Sequence, residues 1–212
     1  MDFRLYLITD RRLVDDLPAA IDRALSGVPR GAAAVQLREK DLGGRALHEL
    51  AIAVRAACRR HGAPLLVNDR IDVALAAGAD GVHLGEASVE VEDARRLGCA
   101  LVGASCHDDA SLARRGGADF LLFSPVFATP GKGAPRGLEA LRAAAATHHR
   151  TFALGGVDRD NAAACVDAGA FGVAAIRAWL AAPDPAEATA ALHDAVARAG
   201  AHPFHRRPAG EP

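Results

Sequence analysis

Gln36, Arg38 and Lys40 stand at alternate positions at the end of an apolar run. In a strand that spacing places an amide, a guanidinium and an ammonium on one face, while Val35 and Leu37 take the other. Other apolar runs also end in polar groups: Thr9-Asp10, Asn68-Asp69, His83 followed by Gly85-Glu86, and Ser105 with His107. A longer stretch from Ser124 to Gly137 carries Thr129, Lys132 and Arg136; Gly155-Gly156 and Ile176-Arg177 follow the last two runs. Of 25 basic residues only Lys40 and Lys132 are lysines. In a chain so biased to arginine, both surviving lysines fall in polar loop motifs, where a compact ammonium differs from a planar fork. Two lysines, Arg38, hydroxyls, amides and the carboxylate Asp69 together suit a polyanionic substrate, with Asp69 holding a divalent metal on its phosphates. Gly155-Gly156 and the backbone near Ile176-Arg177 could admit a phosphate, because glycine allows close backbone approach and a helix start offers free N–H groups. Blander explanations stand beside these: Asp69 as the N-cap of the next helix, and Gly-Gly as a tight turn. No carboxylate pair is placed for glycoside hydrolysis. Ser105 lacks the G-x-S-x-G elbow of a serine nucleophile.

The elements that must position these groups repeat. Stretches rich in Ala, Arg and Leu end in Gly-Ala or a similar pair and run into an apolar segment, as at Gly31, Gly62, Gly78, Gly117 and Gly169. This is a helix, a glycine cap and a strand, over and over. Strands are expected at 4–9, 33–38, 64–68, 81–84, 100–104, 120–123, 151–154 and 172–175, with helices at 15–25, 43–60, 71–77, 89–97, 109–115, 138–147, 160–168 and 185–198. Eight βα units predict a single α/β domain, a (β/α)₈ TIM barrel over residues 1–200, with function at the carboxyl ends of its strands. A doubly wound sheet would carry GxGxxG after the first strand, where Thr9-Asp10-Arg11-Arg12 stands instead. Residues 201–212, rich in proline and charge, read as a disordered tail.

Composition narrows the partners. The chain has 212 residues, 50% of them apolar, and a formal net charge of −1, so no global field draws it to nucleic acid or anionic lipid. Apolar runs are short and broken, and the first residues lack a secretory core; the expectation is a cytoplasmic protein with no membrane partner. Cys58, Cys99, Cys106 and Cys165 show no metal-ligand spacing and read as scattered reduced thiols. The oligomeric state is not legible, and a homo-oligomer is compatible with everything above.

The ordered motifs resemble the thiamine phosphate synthase family and its relatives, the thiazole tautomerases. They are 5–10 (LYLITD), 35–41 (VQLREKD), 67–70 (VNDR), 81–85 (GVHLG), 103–107 (GASCH), 124–127 (SPVF) leading to 129–132 (TPGK), and 153–157 (ALGGV). The resemblance implies a transferase that joins a pyrimidine diphosphate to a thiazole phosphate, giving thiamine phosphate and pyrophosphate. By it, Gln36, Arg38, Lys40, Asn68 and Lys132 would hold the diphosphate and Asp69 would bind Mg²⁺. Ser105 and Thr129 would line the pyrimidine and phosphate region, and Gly156 with the backbone near Ile176 and Arg177 would hold the thiazole phosphate.

Two positions depart from the family pattern. The synthases carry Gly-Gln-Xaa-Asp after the fourth strand, with the Asp on the metal; here Gly85 is followed by Glu86-Ala87-Ser88, leaving Glu86 as the nearby carboxylate. Gly131 replaces the second Thr of Thr-Xaa-Thr-Lys. Both bear on the diphosphate half. The resemblance therefore leaves two alternatives: a metal-free tautomerase using His107 as its base, and a non-catalytic phosphate-binding paralogue. Retention of Gln36, Lys40 and Asp69 weighs toward the synthase.

Overall fold

The computed structural model describes residues 2–200, so the expected tail at 201–212 lies outside the described residues. Eight parallel strands close in sequence order into a barrel: β1 (Leu5–Ile8), β2 (Ala33–Leu37), β3 (Leu65–Asn68), β4 (Gly81–Leu84), β5 (Leu101–Cys106), β6 (Phe120–Phe123), β7 (Thr151–Ala153) and β8 (Gly172–Ala175). β8 returns to β1 with Leu5 beside Val173. The α/β TIM barrel expected from the repeating pattern is the observed fold, and each expected strand is present within two residues at either end.

Around it lie α1 (Leu17–Ser26), α2 (Gly44–Arg60), α3 (Ile71–Ala77), α4 (Val91–Arg96), α5 (Asp109–Arg115), α6 (Gly137–Thr147), α7 (Ala162–Asp167), α8 (Arg177–Leu180) and α9 (Pro185–Gly200). Local chemistry sets their ends. Asp16 caps α1 by accepting from the Ala19 amide at 3.0 Å, and α3 stops at Gly78, whose φ of 64° closes the helix in the left-handed region. Neither the 3₁₀ turn Arg11–Leu13 nor the four-residue α8 was expected from the sequence, because neither is long enough to show a helical period. α8 is held by Trp179, fully buried, whose indole N–H donates to the Ala175 carbonyl at 3.0 Å.

Alternation along each strand builds two cores. Val35, Leu37, Leu65, Val67, Val82 and their kind face the helices. Inside the barrel Phe3, Tyr6, Phe120 and Phe152 pack edge to face near the amino ends, below Ile8, Ala34, Leu66, Leu122 and Ala174. Two aspartates stitch that end: Asp80 accepts from the Leu65 amide at 2.8 Å, and Asp119 from Val102 at 2.7 Å. With the bottom plugged by aromatic rings, the open space lies at the carboxyl ends. All four cysteines are buried free thiols, with burial pushing Cys58, Cys106 and Cys165 up to about 12. Among the described residues no helix is long and apolar enough to cross a membrane.

Candidate active site

Two cavities open at the carboxyl ends of the strands. One, about 250 Å³, is lined by Glu39, Lys40, Asn68, Asp69 and Arg70. The other, about 300 Å³, gathers Asp10, Thr129, Lys132, Gly155, Gly156, Ile176 and Arg177. Of the sequence-predicted residues, Lys40, Asn68 and Asp69 line the first and Thr129, Lys132, Gly156, Ile176 and Arg177 the second, whereas neither of these cavities is lined by Gln36 or Arg38. A groove of about 340 Å³ elsewhere is lined by Asp158, Asp160, Asp184 and Glu187 against the single cation Arg159, a net charge of the wrong sign for a polyanion.

Gln36 points into the barrel, where its amide nitrogen donates to the Tyr6 hydroxyl at 3.2 Å. β2 ends at Leu37, so the strand alternation reaches Gln36 and Arg38 but Lys40 stands in the following turn, exposed. What fixes this turn is Glu39, to which the sequence motif alone assigns no role. Its buried carboxylate accepts from the Thr9 hydroxyl at 2.6 Å and from the Arg11 amide at 3.1 Å. Thr9 Oγ1 accepts in turn from the Arg38 amide at 2.9 Å. Lys40 is held below the usual lysine range, first by the charge of Arg38, then by desolvation and by Lys132, with Asp69 opposing them. Arg38, Lys40, Lys132 and Asp69 therefore share one field although three different loops supply them.

Asp69 has φ of 64°, the one non-glycine residue with positive φ among the described residues. The N-cap of α3 is Arg70, and no side chain caps that helix, so the bland explanation for Asp69 does not hold. A left-handed aspartate costs on the order of 1 kcal/mol. That conformation leaves an exposed carboxylate at the mouth beside Asn68, which pairs with His83 across β3 and β4. Glu86 is exposed too, with its carboxylate 4.0 Å from His107 Nε2. Ser88 Oγ is engaged by the Gly85 amide at 2.7 Å. The loop carrying these residues is tied down by Arg115, a fully buried guanidinium that donates to the carbonyls of Gly85, Glu86, Ser88 and Val89. Among the described residues no group of three or more His, Cys, Asp or Glu side chains gathers as a metal cage. Mg²⁺ commonly takes one or two carboxylates, with waters and substrate phosphates completing its shell, and Asp69 fits that donor set.

His107 and Ser105 project from the end of β5. His107 Nδ1 donates to the Ser124 carbonyl at 2.7 Å, which leaves Nε2 toward Glu86. Ser105 Oγ lies 3.0 Å from Nε2 of His83, a buried imidazole that in the sequence is only the polar residue of a strand end. Burial, and secondarily Arg38, pull His83 down to about 3, so it is neutral.

The phosphate half depends on two glycines. A β-carbon at Gly155 would lie 2.8 Å from Pro125 Cα, and one at Gly156 2.8 Å from the Ala128 carbonyl oxygen. Both also have positive φ, at 99° and 63°, so the β6–α6 loop can close on this turn only over bare backbone. Phe127 N–H donates to the Gly155 carbonyl at 2.9 Å, and the Thr129 hydroxyl to the Phe127 carbonyl at 3.0 Å. Thr129 and Lys132 are thereby brought beside Gly156 and the start of α8.

The profile of the family described as "Thiamine monophosphate synthase" matches residues 5–179. The chain belongs to the thiamine monophosphate synthase family. A protein of Geobacter sulfurreducens is 50% identical over 202 residues, covering 91% of this chain and 93% of its own length. The thiamine-phosphate synthase of Chloroflexus aurantiacus is 44% identical over 207 residues, covering 92% and 94%. Among solved structures, the thiamine phosphate pyrophosphorylase from Pyrococcus furiosus superposes with a TM-score of 0.85 at 35% identity, over 93% of this chain and 97% of that one. In this member of the thiamine monophosphate synthase family both cavities open at the carboxyl ends of the strands.

Proposed function

We propose that this chain is a transferase of thiamine biosynthesis, a thiamine phosphate synthase, and that the mouth residues divide its two substrates between them. Gln36, Arg38, Lys40, Asn68 and Lys132 take the diphosphate of the hydroxymethylpyrimidine. Thr129, Gly156, Ile176 and Arg177 take the phosphate of the thiazole, and Ser105 lines the pyrimidine between them. The observation that carries this assignment is the placement of Lys40, Asn68 and Asp69 around one cavity at the strand ends and of Thr129, Lys132, Gly156 and Arg177 around the other.

As the C–O bond to pyrophosphate breaks, negative charge grows on the leaving oxygens. The three preplaced cations stabilise that charge more than they stabilise the ground state, which is the condition for acceleration. The electron-rich pyrimidine carries the developing positive charge, so no protein nucleophile is needed, and the thiazole nitrogen supplies the new bond. Asp69 would hold Mg²⁺, with Glu86 as the second candidate ligand, and the ion would supply charge neutralisation on the diphosphate. His107, with Nε2 directed to Glu86, would stand beside that second candidate ligand. Supplying both substrates and following pyrophosphate is the test: a chain that binds phosphates without turnover releases none.

A further inference from the structure

A chain of buried polar groups crosses the barrel interior beneath the opening. Gln36 Nε2 donates to Tyr6 Oη at 3.2 Å, Tyr6 Oη lies 3.3 Å from His83 Nδ1, and His83 Nε2 lies 3.0 Å from Ser105 Oγ. Gln36, Tyr6 and His83 are buried, and Ser105 is half-buried near the carboxyl end of β5. Gly103 makes the arrangement possible, since a β-carbon there would lie 2.8 Å from His83 Nδ1 and 2.4 Å from the Phe120 ring.

We propose that Tyr6 and His83 are positioning residues that lock His83 as its Nε2–H tautomer and so present the Ser105 hydroxyl to the pocket as a hydrogen-bond donor. A neutral imidazole has one donor and one acceptor nitrogen, so the chain can run in two directions. In one, the phenol donates to Nδ1, Nε2–H donates to Ser105 Oγ, and the serine proton is free for the ligand. In the other, Nδ1–H donates to the phenol, the Gln36 amide must turn so that its Oε1 instead of Nε2 faces the phenol and accepts its proton, and the serine proton is spent on Nε2. The first pairs the best neutral donor present, a phenol, with the best neutral acceptor, an imidazole nitrogen; the second gives that acceptor only an aliphatic hydroxyl. Burial keeps both rings uncharged, lowering His83 and raising Tyr6 from their ordinary values, so neither direction is lost to ionisation near neutral pH. In a buried network each such bond also polarises the next. The consequence for turnover rests on the synthase reading above, whereas the tautomer does not.

Nitrogen-15 histidine spectra of the free, full-length protein read the tautomer directly, with His83 assigned by the signal lost in His83→Gln. The expected result is a proton on Nε2 and an unprotonated Nδ1, unchanged between about pH 5 and pH 8. Tyr6→Phe, which keeps the ring and removes the hydroxyl, is expected to admit the Nδ1–H form. In pyrophosphate release, Tyr6→Phe and Ser105→Ala should each lower kcat on the order of tenfold, leave the KM of the thiazole phosphate unchanged, and fail to add in the double variant. An Nδ1–H tautomer in the wild type overturns the proposal, as does a Tyr6→Phe protein that keeps both the Nε2–H form and full kcat. Absence of pyrophosphate release from the wild type would refute the synthase reading while leaving the tautomer result standing.

Discussion

The buried Glu39 carboxylate accepts the Thr9 hydroxyl at 2.6 Å, joining the carboxyl ends of β1 and β2. Because Thr9 also receives the Arg38 amide, the position of two cationic side chains depends on a residue that touches no substrate. Glu39→Ala should cost about 1–3 kcal/mol of stability, the price of leaving buried donors unpaired. It should also reduce kcat/KM for the pyrimidine diphosphate more than for the thiazole phosphate. Urea unfolding and steady-state kinetics on the same preparation check both.

Lys132 is exposed on the loop between β6 and α6 and packs into no core. Lys132→Ala is therefore expected to unfold at the wild-type urea concentration while turnover falls on the order of 10²-fold or more. Retention of most activity would place this ammonium in solvent during the reaction.

Asp69 separates backbone from charge. Asp69→Gly relieves a positive φ and should leave stability equal or slightly raised, by up to about 1 kcal/mol. Asp69→Asn keeps the conformation and loses only charge. Both should abolish Mg²⁺-dependent turnover, whereas His107→Ala should leave it measurable, since the bond-breaking step needs no base. An essential His107 with a dispensable Asp69 would favour the tautomerase chemistry instead.

The barrel was legible because the first six strands announced themselves twice, by an apolar run and by polar residues at the carboxyl end, and the last two by the apolar run after a helix and a glycine. Asn68, Asp69, Thr129, Lys132 and Gly156 could be placed at one mouth from topology alone, whereas Gln36 lies below it, bonded to Tyr6 in the barrel interior. The relationships between side chains were not legible. Glu39 lay inside a recognised motif, yet its partners Thr9 and Arg11 come from another βα unit. Arg115 lay in a helix where arginine is ordinary, and only tertiary packing shows it buried under the loop of Glu86 and Ser88. Tyr6 and His83 sit 77 positions apart, and nothing local couples them. α8 is four residues long, below the length at which periodicity carries information.

His83 makes stability pH-dependent. Its folded value of about 3 lies below the ordinary 6.5, so between those values the unfolded chain binds the extra proton. Stability is full above 6.5 and is lost as pH falls toward 3, at roughly 1 kcal/mol per pH unit from this group. His83→Gln should be less stable at neutral pH but flatter in acid. Urea midpoints at about pH 7 and about pH 4.5 for both proteins isolate the contribution of His83 by difference.

The central claim is that the opening joins two phosphorylated substrates by expelling pyrophosphate from one of them. Following pyrophosphate with both substrates present, across a Mg²⁺ titration and again with EDTA, tests it most directly. The account predicts release that requires both substrates, saturates with Mg²⁺ and stops with EDTA. No release from the paired substrates, or a rate indifferent to Mg²⁺ and EDTA, would contradict it.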